Sequence, residues 1–111
     1  MSQFPVAETI LSQIGGRAAL KLMIGANIFF PEANSLMFKF AARSKVGNCV
    51  KIVLNPKDLY DVFFYSVRVS MKTGVTMIEK AKLEDIDCEY LRRSIENTTG
   101  LRLAVPVIIF K

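Results

Sequence analysis

The chain has 111 residues, 15 Lys plus Arg against 10 Asp plus Glu, a net charge of +5 and a hydrophobic fraction of 51%. This is the composition of one globular domain, too apolar for disorder and without the run of about 20 apolar residues that a membrane span needs. It has no histidine, which excludes an imidazole base, Ser-His and Cys-His nucleophile pairs and histidine metal ligands. The expectation is a protein that is not an enzyme and takes no cofactor or metal.

Cys49 and Cys88 are the two cysteines. No CxxC or zinc spacing surrounds them, so they read as core thiols in a reducing compartment rather than a disulfide. The start, MSQFPVAETI, shows no basic region followed by an apolar one. The expected location is the cytoplasm, or that of a host.

In chain order, Val6, Ile10 and Ile14 recur every four residues and predict a short helix stopped by Gly15-Gly16. Arg17 to Ile24 fits strand or helix. The alternation of Ala18, Leu20, Leu22 and Ile24 after the glycines favours strand. Gly25 to Asn34 reads as a loop. Ser35 to Ala42, Cys49 to Leu54 and Tyr60 to Val69 alternate as strands. Their rows Leu36/Phe38/Phe40, Val50/Ile52/Leu54 and Tyr60/Val62/Phe64 form the expected covered face. Arg43 to Asn48 connects the first two, and Asn55 to Asp58 is a turn with Pro56 at its second position.

Lys72 to Lys82 reads as a basic, irregular stretch. Leu83 to Thr98 reads as a second helix, with Glu84, Asp85 and Asp87 in an acidic first turn, Arg92 and Arg93 later, and Gly100 just past its end. The tail, Leu101 to Phe110, is strongly apolar. The predicted fold is a single α+β domain over 1-111: an antiparallel β-meander of three to five strands, with an N-terminal and a C-terminal helix packed on one face.

Certain stretches carry a resemblance. They are Thr9-Ile10-Leu11 with Gln13 and Gly15-Gly16, then Asn34-Ser35-Leu36 with Phe38, then Val50-Lys51-Ile52 with Leu54-Asn55-Pro56-Lys57-Asp58-Leu59-Tyr60-Asp61-Val62 and Phe64, and finally Thr98-Thr99-Gly100-Leu101. In these the chain resembles a family of small uncharacterised proteins carried by bacteriophages and other mobile elements. The family has no established activity, so the resemblance transfers no catalytic residue. It implies a mobile-element accessory protein acting on host defence or on the element's own DNA. Two departures stand out: Phe63 replaces a usual acidic residue, and AVPVIIFK follows the Thr-Gly-Leu element. Both add hydrophobicity that seeks a partner.

Two candidate surfaces follow. Lys39, Arg43, Lys45, Lys51, Phe63, Tyr65, Arg68 and Lys72, with Lys80 and Lys82, combine cations with aromatic rings. Such a sheet face stacks bases and neutralises phosphates, whereas its plain alternative packs Phe63 and Tyr65 under the loop, the tail or another subunit. Phe63 with Val105, Val107, Ile108, Ile109 and Phe110 forms the second surface. It suits a host or phage protein or a homo-oligomer, while the tail has the plain alternative of a final strand completing the sheet. Glu84, Asp85, Asp87 and Glu89 read as a solvated helix face rather than a catalytic or metal cluster.

Overall fold

In the computed structural model, which describes residues 4–103, Pro5 opens the first helix at a position where its missing N–H costs nothing. This helix, α1 (Pro5–Gln13), buries Ala7, Ile10 and Leu11. The Gly15-Gly16 break follows, and Arg17–Ile24 then forms a second helix, α2, not the strand its alternation favours. Both periods fit so short a segment. Burial decides between them: Leu20 and Ile24, four apart, enter the core, while Leu22 is 75% exposed. Gly25 caps α2 in the left-handed conformation.

The expected loop after it contains a strand, β1 (Asn27–Pro31). β1 is an edge strand, which is where a proline is tolerated in a sheet. Phe29 is drawn inward onto Phe38, with ring centroids 5.5 Å apart. β2 (Ser35–Lys39) is shorter than its alternation suggests, β3 (Cys49–Leu54) matches it, and β4 runs Tyr60–Ser70. Among the described residues these join β5 (Gly74–Ile86) in one antiparallel five-stranded sheet, ordered β1-β2-β3-β4-β5. The fold is α+β, with helices at the N- and C-terminal ends of the described chain.

β5 overturns two expectations. Lys72 to Lys82 is largely strand rather than irregular, and Leu83 to Ile86 belongs to that strand rather than to a helix. The second break in the β4–β5 ladder explains the confusion. Val62 pairs with Leu83 and Tyr60 with Ile86, so an extra residue spaces the two inward side chains by three, as a helix would. Asp85 takes φ 55° at this irregularity. A 3-10 turn at Cys88–Tyr90 leads into the last helix, α3 (Leu91–Thr99), which ends at left-handed Gly100. Glu84 and Asp85 therefore lie on β5, and no acidic first turn opens α3.

The core lies on the side of the sheet that α1, α2 and α3 cover. Leu36, Phe38, Val50, Ile52, Val62 and Phe64 are buried there against Ile10, Leu20, Leu91 and Ile95. Cys88, read as a core thiol, is exposed, while Cys49 is buried and both are free. No helix among the described residues is long and apolar enough to cross a membrane.

β3 pairs with β4 only as far as Cys49↔Tyr65. Beyond it, β4 and β5 continue as a two-stranded arm over residues 66–78, and the molecule measures 56 Å along its longest axis against 34 and 28 Å across. The connection before β3 clamps the root of this arm. Asn48 Nδ2 donates to the Val67 carbonyl at 3.1 Å, and Asn48 Oδ1 accepts from the Val67 N–H at 2.7 Å. Gly47, at φ 96°, lies so close that a Cβ there would collide with the Tyr65 carbonyl.

Gly74 at the arm tip has φ 75° and open space around it. Replacing Gly47 by Ala therefore costs at least about 3 kcal/mol, whereas Gly74→Ala costs about 1 kcal/mol of backbone strain alone. Thermal unfolding checks this: Gly47→Ala lowers Tm by about 12 °C or more, while Gly74→Ala, at the tip of a ribbon outside the core, leaves it nearly unchanged.

Candidate nucleic-acid interface

Side chains alternate across a strand, so the residues between the buried ones share the sheet's outer face. Register sets them in rows. Phe30↔Met37, Met37↔Lys51, Lys51↔Phe63 and Phe63↔Lys82 make one row across all five strands. Lys39↔Cys49, Cys49↔Tyr65 and Tyr65↔Glu79 make the next. The Phe63 and Tyr65 rings are nearly parallel, 17° apart with centroids at 6.4 Å. Lys82 Nζ stands 5.1 Å over the centre of the Phe63 ring, a favourable cation–π placement. Both rings are half-buried, so they present edges and parts of their faces rather than isolated platforms.

Two of the cations of this face are already paired. Lys82 Nζ is 2.9 Å from Glu84 Oε1, and Lys51 Nζ is 3.7 Å from Glu32 Oε1. The hydrogen bond to Glu84 raises the Lys82 pKa above its ordinary value, which keeps it charged at neutral pH. Burial, then the Glu79 charge, raises the Tyr65 phenol, so the ring stays neutral there. Cys49 lies between Lys39 and Tyr65, and burial pushes its thiol up while Lys39 pulls it partly back. It is a packed thiol rather than a nucleophile.

Lys39, Lys51, Phe63, Tyr65 and Lys82 thus share one face, but the remaining sequence candidates scatter. Arg68 pairs with Thr76 on the other face of β4. It lines an open groove of about 360 Å³ at the arm root together with Arg43, Ser44, Gly47, Asn48 and Ser66. Lys45 stands beside Gly100, with its N–H donating to the Thr99 carbonyl, where a cation complements the end of α3. Lys72 is in the turn at the arm tip, roughly 20 Å beyond Tyr65 at strand rise. Val105, Val107, Ile108, Ile109 and Phe110 lie outside the described residues. Sequence reasoning missed Glu32 and Glu84 as counter-ions and Asn48 as the arm clamp. Glu84 was hidden because it was read onto a helix, while Glu32 and Asn48 lay in segments read as loop.

The acidic residues are engaged structurally. Asp61 Oδ1 accepts from the Asp85 N–H at 3.1 Å and from Asn55 Nδ2 at 3.2 Å. Asp85 accepts from Asn55 at 2.8 Å and from Lys57 at 3.0 Å. Asp87 caps the 3-10 turn by accepting from the Glu89 N–H. Among the described residues no three Cys, Asp or Glu side chains group to hold a metal ion. Compared with known proteins, the chain matches no family model, no curated protein and no solved structure.

The Lys57 hydrogen bond lowers the Asp85 pKa below the ordinary 3.8. Its stabilising contribution is therefore complete above that value and lost as pH falls through the depressed one. Asp85→Asn keeps a residue that tolerates positive φ. Its Tm falls below that of the natural chain at pH 7, and the gap narrows as pH falls through the depressed Asp85 pKa; thermal melts from acid to neutral pH check this.

Proposed function

We propose that this protein is a small non-enzymatic accessory protein that binds single-stranded nucleic acid across the outer sheet face. The observation that carries the reading is Phe63, set between Lys51 and Lys82 with Tyr65 parallel to it. Half-exposed rings offer stacking surface to any base, and flanking ammonium groups meet the phosphates. Lys39, one row on from Lys51, adds a third ammonium group to the same face. The net charge of +5 supplies a long-range attraction for a polyanion. The resemblance to bacteriophage and mobile-element proteins supports a host cytoplasm as the setting.

Glu32 and Glu84 make this binding weak, because phosphate competes with a carboxylate already in place. A second reading is a protein-binding module, an inhibitor of a host defence protein or an assembly subunit, using Phe63 and the apolar tail. The observation that favours it is the continuation of the Phe63–Tyr65 face onto an apolar arm.

Fluorescence anisotropy of labelled single-stranded DNA and RNA at low and physiological salt tests the first reading. Affinity falls with salt in proportion to the phosphates engaged. Phe63→Ala and Tyr65→Ala each weaken binding by about fivefold or more, and Glu84→Gln, which releases Lys82, strengthens it. Absence of binding at low salt overturns the reading and leaves the protein-binding one.

A further inference from the structure

Past Tyr65 the outer face continues onto the arm as a row of apolar side chains. Val67 pairs with Met77 and Val69 with Val75, and alternation sets all four on the side of Phe63 and Tyr65. Val69 is 74% exposed, Val75 65% and Met77 46%. The opposite face of the arm carries Ser66, Arg68, Ser70, Thr76 and Ile78, of which only Ile78 is apolar. The arm is therefore amphipathic with its apolar side turned away from the helices, and no described residue covers that side. A contiguous apolar strip on a sheet face is a docking surface or an aggregation liability.

Leu103, the last described residue, is buried in the helix-side core, and its N–H donates to Glu96 Oε2 on α3.

Charge names an occupant. From root to tip, the arm's outer face presents Glu79 beside Tyr65, then Val67 with Met77, then Val69 with Val75, and the turn that closes the arm carries Lys72. Successive rows are roughly 6.6 Å apart, so the strip is about 20 Å long with an acid at one end and a base at the other. Neither Glu79 nor Lys72 forms a salt bridge among the described residues. Such a strip is complementary to itself turned end for end. A parallel stack sets Glu79 on Glu79 and Lys72 on Lys72, which repels. An antiparallel stack sets Val67 and Met77 on Val69 and Val75 of the other copy and brings Glu79 to Lys72 twice.

We propose that the apolar face of the arm is a self-association surface, docking face to face on the same surface of a second copy about a two-fold axis that runs between its two apolar rows. The pairing is isologous and closed. It leaves Phe63, one row below Glu79, open to solvent but brings the partner's tip over the row of Glu79 and Tyr65, so dimer and nucleic acid share Tyr65 and not Phe63. The strip is much smaller than the roughly 800 Å² per partner of a standard complex, so the dimer is weak and its population depends on concentration.

Sedimentation equilibrium of the full chain from about 10 μM to about 1 mM tests this. The expected result is a mass rising from monomer towards dimer. Val69→Ser with Val75→Ser weakens association by about tenfold or more, and an unchanged far-UV spectrum shows that the fold is kept. Glu79→Lys and Lys72→Glu each weaken association as well, and the two together restore it. Four outcomes overturn the proposal: a monomer at every concentration, association unaffected by the valine changes, charge reversals that do not restore each other, or association lost only on deletion of residues 104–111. The last outcome assigns the contact to the tail.

Discussion

The architecture depends on where β3 stops. The six residues of β3 support the first half of β4, from Tyr60 to Tyr65, and at Cys49↔Tyr65 that support ends. Gly47 and Asn48 then press onto the β4 backbone, and the Asn48 amide makes both hydrogen bonds that another strand residue would have made with Val67. One side chain thus closes the edge of the ladder. Below this point the sheet is five strands wide and backed by helices, so alternate side chains have a core to enter. Above it the sheet is two strands wide, and both faces meet solvent. The buried row, the mixed aromatic and basic face and the apolar arm all take their positions from this division.

The legible part of the fold was the part with one dry face and one wet one. Leu36/Phe38, Val50/Ile52 and Tyr60/Val62/Phe64 alternate because burial forces them to, and those strands read directly from the residues. The remainder failed for identifiable reasons. Arg17–Ile24 satisfies both periods, and only the contacts of Leu20 and Ile24 separate helix from strand. Phe29 and Phe30, beside Pro31, give an edge strand a loop-like composition. β5 has no core to face along its arm half, so no pattern was imposed there. Its other half is broken by irregularities that turn a spacing of two into three between Leu83 and Ile86.

The same misreading spread into the candidate site. Phe63 and Tyr65 were correctly placed together on the outer face because β4 was correctly read. Their neighbours on β5 were not available to the argument, since a residue opposite Phe63 has no identity until the β4–β5 register is known. Lys82 was named only as part of a basic stretch, whereas it stands over the Phe63 ring and is held by Glu84. Lys45 and Arg68 share the composition of the site but not its face. Net charge therefore overstated how many cations converge, and pairing with Glu32 and Glu84 offsets two of those that do.

The arm also divides the molecule thermodynamically. Residues 66–78 contribute no side chain to the buried core, and an isolated two-stranded ribbon is only marginally stable in water. Opening of the arm costs far less than global unfolding, so its amides exchange with solvent as a separate, weaker unit. Selection for a stable fold consequently acts only faintly there. The arm is the region in which this scaffold is free to change what it touches while the domain beneath it stays the same.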